Sequence, residues 1–279
     1  MQKPPYLHEH LHTLLVPVLG PQTDDFLAAG LAAISSGSGH WVQLGIAPGF
    51  GRTPQLFGAL DDLSTALLED PSTTNFFFTR RPPGLQARFE TTLDNRAPLE
   101  AELYARLNAL RPTVELVVPG AYVPEEGLFG GPEAMPHVHR LFTLDSRAWL
   151  AFHRASPGIP AWVFSLVLLR HLLEGMGIND DDALWSRIER QTGRTDAKPA
   201  TVRAAWSDPV RLEASLPGPV AAMATEWGAW LRSAANDWRN NIGDKDSTEV
   251  MASWTLAHWN RGGIPANTQA ALVTALAPA

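Results

Sequence analysis

With 279 residues, 45% of them apolar and only 18% charged, the chain has material for a substantial core and lacks the composition of a disordered segment or a long charged coiled coil. Lys and Arg number 22 against 29 Asp and Glu, and the formal charge of −7 has the wrong sign for gripping a phosphate backbone, so nucleic acid is not an expected partner. The lack of cysteine excludes disulfide frameworks, thiolate nucleophiles and Cys-based metal sites, and fits a reducing compartment.

Met1-Gln2-Lys3-Pro4-Pro5 leads into no apolar core with a small-residue cleavage site, so no secretory signal is expected. Leu11 to Leu19, rich in Leu and Val, reads as a strand, and Asp24 to Ser35 as an amphipathic helix. Gly45 to Gly51 reads as a plain loop, because it lacks both the Lys-Ser/Thr of a phosphate loop and a dinucleotide fingerprint. A helix is expected over Thr53 to Glu69, where Thr53-Pro54 resembles a cap with proline at the first helical position. Asn75–Phe78 and Leu85–Phe89 form a strand pair around Arg80-Arg81-Pro82-Pro83-Gly84, followed by a helix over Leu99 to Leu110 and a strand over Val114 to Val118.

From Asp145 onward the character changes, with nine of the ten tryptophans lying there. Helical spacing predicts segments at Ser146–Arg154, Pro160–Met176, Asp180–Thr192, Pro199–Trp206, Pro219–Asn240, Ser247–Arg261 and Ala266–Leu276. The longest apolar stretch, Ile159 to Leu169, is shorter than the roughly 20 residues of a membrane span, so a soluble, cytoplasmic protein is expected. The fold class is α+β, with a mixed or antiparallel sheet and packed helices in the N-terminal half and a helical C-terminal half. One domain over 1–279 is expected, with a possible subdivision into 1–145 and 146–279. Gly193 to Lys198 is the best linker candidate.

Few motifs carry chemistry alone. His8, His10 and His12 would share one face of a strand, yet no further ligand accompanies them, and His137 and His139 are no stronger, so no metal is expected. Ser36-Gly37-Ser38-Gly39 lacks the context of a nucleophilic serine. Trp227 and Trp230 share a helix face, as core or as an apolar wall for an aromatic ligand.

Three separated stretches carry more together. They are Phe77-Phe78-Thr79-Arg80-Arg81 with Leu85-Gln86-Ala87-Arg88-Phe89, then Tyr122-Val123-Pro124-Glu125 with Gly130-Gly131, then Phe142-Thr143-Leu144-Asp145-Ser146. With Ser253, Asn260 and Arg261, their order resembles the C-terminal elimination domain of class I lanthipeptide dehydratases and its stand-alone relatives in thiopeptide biosynthesis, over roughly Leu7 to Leu276 with no large dehydratase domain in front. The departures matter too. Gln86 stands where the family has the first arginine of Arg-x-Arg, Leu256 where it has a histidine, and Leu128-Phe129 where it has Arg-Tyr before Gly-Gly.

In the dehydratases those basic groups are associated with removing glutamate from glutamylated Ser or Thr, a reaction needing a base and cationic groups. With that equipment reduced, the resemblance implies the pyridine-synthase branch: a formal aza-[4+2] cycloaddition between two dehydroalanines, with loss of water and leader peptide. Holding both alkenes in a near-attack arrangement could supply roughly 7–11 kcal/mol. The resemblance suggests Ser253, His258 and Arg261 as catalytic residues, and Arg80, Arg88, Tyr122, Glu125, Trp254 and Trp259 as substrate-binding ones. On a helix, 254, 258 and 261 share one face. A surface or capping His258, a back-bonding Ser253 and a structural Arg88–Glu125 ion pair fit the same residues.

No cofactor and no membrane partner is expected. The partner implied is a modified precursor peptide, leader plus dehydrated azole-containing core, and other biosynthetic enzymes are further candidates. The rival readings are a glutamate-elimination component of a split dehydratase and a non-catalytic peptide-binding scaffold.

Overall fold

A computed structural model describes residues 5–27, 39–196 and 200–278. The elements used below are α1 (Pro5–Leu19), β1 (Trp41–Pro48), α2 (Thr53–Leu68), β2 (Thr73–Thr79), β3 (Leu85–Thr91), α3 (Leu93–Asn108), β4 (Val114–Gly120), α4 (Met135–Ala155), α5 (Ala161–Met176), α6 (Asp182–Thr192), α7 (Ala200–Ser207), α8 (Pro209–Ala214), α9 (Gly218–Arg239), α10 (Ser247–Gly262) and α11 (Ala266–Leu276). The architecture is α+β, as the residue pattern predicts.

The four strands form one sheet in the order β2-β3-β1-β4, with β1 antiparallel to both β3 and β4. Because β1 is interior, its sequence Trp41-Val42-Gln43-Leu44-Gly45-Ile46 is almost continuously apolar instead of alternating. The helix α3 places Leu99, Leu103 and Leu107 four residues apart, all buried, and packs on β1, β3 and β4. It starts where the Thr92 side chain accepts a hydrogen bond from the Asn95 N–H.

The chain divides into two compact units. One comprises the residues up to Leu56 with Ala66–Asn75 and Arg81–Val123; the other comprises Phe57–Thr65, Phe76–Arg80 and everything from Pro124. In the second unit α9 lies along α5 and α4, and α10 packs on α4, α5 and α6. Two glycine notches set the α5–α9 distance, for a Cβ on Gly175 would lie 2.3 Å from the Arg232 carbonyl oxygen and one on Gly228 2.1 Å from the His171 ring.

The stretch Phe142-Thr143-Leu144-Asp145-Ser146 falls inside α4, and its hydroxyls have a structural task. The Phe76 N–H donates to Thr143 Oγ1 at 3.1 Å and the Phe78 N–H to Ser146 Oγ at 3.2 Å. Side chains of a helix thereby satisfy backbone donors of β2 that lie buried.

Several expectations need correction. Leu11–Leu19 belongs to a helix, α1: Val16 and Val18 raise β propensity, but Leu11, Leu14, Leu15 and Val18 recur at helical spacing. On that helix position 10 lies on the side opposite positions 8 and 12, so the three histidine positions do not share one face. Gly45–Pro48 is strand, and only Gly49–Gly51 turns. The helices α3 and α4 begin at Leu93 and Met135, well before the expected Leu99 and Ser146. Most of the helix expected at Asp24–Ser35, Ser36–Ser38 of the Ser-Gly run, and residues 197–198 of the candidate linker lie outside the described residues. Among the described residues no helix is long and apolar enough to cross a membrane.

Replacing Gly175 by Ala sets a helix-propensity gain of about 1 kcal/mol against a clash with helix backbone that cannot yield locally, at about 1–3 kcal/mol. The expected outcome is a lower melting temperature for Gly175→Ala. An unchanged or raised one would refute the tight α5–α9 crossing.

Candidate functional site

The second unit is organised around a carboxylate shut away from water. Asp145 on α4 and His258 and Arg261 on α10 all have 0% side-chain exposure. His258 Nδ1 lies 2.6 Å from Asp145 Oδ1, and Arg261 Nε donates to Asp145 Oδ2. Burial pushes the Asp145 carboxyl up, and the facing His258 and Arg261 more than reverse this, holding it below the ordinary carboxylate range.

A bare lone pair on His258 Nδ1 would repel the carboxylate at this distance, so the proton sits on Nδ1 and points at Asp145. The Trp149 indole nitrogen, 3.1 Å from the same Nδ1, therefore makes a polar contact there and no second hydrogen bond to that atom. On the far side His258 Nε2 lies 2.9 Å from Ser165 Oγ, which also accepts the Trp259 indole N–H at 3.1 Å. Ser165–His258–Asp145 has the connectivity of a nucleophilic triad. Its three side chains are sealed, however, and the hydroxyl is covered by Trp259. Trp254 stacks on the His258 ring at 5.0 Å and is itself fully buried, with no acceptor for its indole N–H among the described residues.

The end of α10 does a second job. The Asn260 side chain pairs with the backbone of Arg80 like a neighbouring strand, accepting from its N–H at 2.8 Å and donating to its carbonyl at 3.0 Å. Arg80 Nε donates to the Arg261 carbonyl at 3.1 Å, and Nη2 lies 3.1 Å from His153 Nε2. The guanidinium sits 4.7 Å over the Phe57 ring, on which His153 also stacks. Burial lowers Arg80 to about 10, which leaves it a cation at neutral pH. Burial, and next the charge of Arg80, lower His153 to about 4 against the opposing effect of a hydrogen bond with the Gly262 backbone, so its Nε2 is free to accept the Arg80 proton. Gly263 follows at φ +67°, where a Cβ would stand 2.7 Å from Arg80 Cζ.

The expected site residues thus fall into separate groups. His258, Arg261, Trp254 and Trp259 gather around Asp145 and Ser165, in the interior. Ser253 is half-buried on the other side of α10, its hydroxyl 3.5 Å from the Glu249 carbonyl. In the first unit, Arg88 lies opposite Gln43 in the β3–β1 register, donates to Gln43 Oε1 at 2.6 Å and Gln86 Oε1 at 2.8 Å, and stacks 5.0 Å from the Tyr122 ring centroid. Gln86, which replaces a family arginine, thereby serves as an acceptor for the arginine that remains. Glu125 is exposed at the head of a short turn. Phe129 is core, packed edge-on to Phe142 at 5.2 Å, with its carbonyl accepting the Trp238 indole N–H.

Sequence reasoning quoted Asp145 and Asn260 as motif residues without giving either a role, and did not single out His153, Ser165 or Phe57. One signal was available for Ser165, because a lone hydroxyl in the run Phe164-Ser165-Leu166-Val167-Leu168 must find a partner when buried. Among the described residues the one cluster of three potential metal ligands is Asp180, Asp181 and Asp182. The Asp181 carboxylate there accepts the Trp185 and Trp206 indole N–H groups.

Two outcomes follow. Asp145→Asn removes the charge that His258 and Arg261 face and should cost about 3–5 kcal/mol at neutral pH, read by chemical denaturation; a loss under about 1 kcal/mol would mean that the network is not the anchor. His153 binds its proton near 6.5 when unfolded and near 4 when folded, so protons favour the unfolded chain between these values. Stability should fall as pH drops from 6.5 to 4, and His153→Gln should flatten that slope in melting curves taken across the window.

The comparisons with known proteins agree with this architecture. The family model described as the lantibiotic biosynthesis dehydratase C-terminus matches residues 41–279. The comparison with curated proteins found no match. Among solved structures the chain is similar to the tRNA dependent lantibiotic dehydratase MibB from Microbispora sp. 107891, with a TM-score of 0.65 and 16% identity. The match covers 85% of this chain and 28% of that one, so the chain spans under a third of that enzyme's length, and the likeness is one of fold. The match over residues 41–279 places this chain in the lantibiotic dehydratase C-terminal family.

Proposed function

We propose that the protein is a cofactor-independent cyclase acting on a dehydrated, azole-containing precursor peptide, joining two dehydroalanines by a formal aza-[4+2] cycloaddition with loss of water and leader peptide. The observation that carries this reading is the conversion of ionisable family positions to neutral ones. Gln86, Leu128, Phe129 and Leu256 stand at those positions, and the imidazole on α10, His258, is sealed beneath Trp254 and against Asp145. An elimination needs an accessible base and charge around its leaving group, whereas a cycloaddition depends mainly on holding two alkenes together.

On this reading His258 and Arg261 act at a distance, fixing α10 so that Asn260 can set Arg80. Ser253 is the hydroxyl of the three with side-chain exposure, and is the candidate proton relay on α10. Arg80 supplies fixed donors to a peptide oxygen. Glu125 offers an exposed carboxylate to the peptide, while Arg88 and Tyr122, both buried in the first unit, form a cation–ring pair within it. Trp254 and Trp259 support the interior.

Mass spectrometry after mixing the protein with a dehydrated linear peptide tests the proposal. The expected products are a macrocycle and a released leader amide, with Ser253→Ala and Arg80→Gln each slowing turnover by roughly tenfold or more. Loss of glutamate from a glutamylated peptide without ring closure would replace the reading with elimination. Undiminished product from both variants in the reconstituted pathway would favour a scaffold.

A further inference from the structure

The charge around Arg80 is left half balanced. A guanidinium offers five N–H groups. The Arg261 carbonyl takes Nε, and His153 takes one proton of Nη2. Among the described residues Arg80 has no carboxylate partner, and the remaining N–H groups have no acceptor. Other arginines in this acidic chain find carboxylates: Arg154 with Asp61 and Asp62, Arg232 with Glu174, Arg187 with Glu249. Those pairs are at the surface, where they matter little. Arg80 is held half-buried, where an unbalanced charge is costly.

The Phe57 ring favours a cation only modestly. The Phe57 face beneath it accommodates a neutral planar group as well, yet the residue is fixed by two backbone bonds from Asn260, a third bond at Nε and a glycine at 263 that leaves it room. A guanidinium held this rigidly, with one edge unspent, is prepared for a planar oxyanion in a two-point pair.

We infer that Arg80 is the receptor for one carboxylate group, presented either by a peptide or as a free small acid. Its unspent N–H edge supplies the donors, and Asn260 and the Arg261 carbonyl set its direction. Above about pH 4 the neighbouring His153 is neutral, so the niche carries a single positive charge and suits a monoanion over a phosphate dianion. This holds whichever reaction the enzyme performs.

The test follows His153 by NMR on histidine-labelled full-length protein, with its signal assigned through His153→Gln and ionic strength held constant with chloride. Acetate should shift the signal saturably and raise the His153 titration midpoint, because it offsets the charge of Arg80; acetamide should do neither. Arg80→Gln should weaken acetate binding about tenfold or more. Arg80→Lys, which keeps the charge and loses the fork, should fall between the two and serves if the glutamine variant does not fold. A non-saturating shift, an equal response to acetamide, or undiminished binding in the substituted proteins would overturn the inference. Short peptides ending in a free carboxylate or an amide then separate the sources: tighter binding of the former than of acetate assigns the site to a peptide, and equal binding to a free acid.

Discussion

Taking the Asp145 carboxylate out of water costs several kcal/mol even after the surroundings relax, and it is tolerated because two groups on one helix face converge on its two oxygens. His258 takes one oxygen and Arg261 the other. Since these residues stand three apart on α10, the pair fixes both the rotation of that helix about its axis and its position along α4. Apolar packing alone would fix neither so narrowly, because Leu and Val surfaces accept many registers. With α10 locked, Asn260 and the Arg261 carbonyl arrive where Arg80 needs them. A charge pair without solvent contact thus dictates the geometry of a cation with it.

This division of labour changes how motifs in the chain are understood. Residues brought together by their order in the sequence do different physical work: Thr143 and Ser146 serve strand donors, Asp145 anchors a helix, Asn260 holds a backbone, and Phe129 fills core. Arg80 combines a fixed position with unsatisfied capacity.

Much of the fold was legible. Helices α5 to α7 and α9 to α11 matched their apolar spacing and their Gly, Pro and Asp boundaries closely, whereas the short α8 was not foreseen, and the β2–β3 pair was marked by its proline turn. The misses have common causes. An interior strand such as β1 is apolar on both faces, so its alternation vanishes, and Gly45 and Pro48 disguise it as a loop. At α1, the β propensity of valine outweighed the spacing of the leucines. The site was legible in its residues and less so in their roles. Sequence could place 254, 258 and 261 on one face of α10, but that this face turns inward depends on Asp145, more than a hundred positions earlier.

The interleaving of the two compact units has a consequence for synthesis. The second unit owns Phe57–Thr65 and Phe76–Arg80, which leave the ribosome well before its remaining body, and the first unit owns the residues on either side of them. A cut after Val123 keeps every residue of the first unit but takes Phe57–Thr65 and Phe76–Arg80 away from the second, so truncation cannot isolate the second unit whole. During translation, the segment bearing Arg80 must wait for α10, about 170 codons later, before its backbone finds the Asn260 amide.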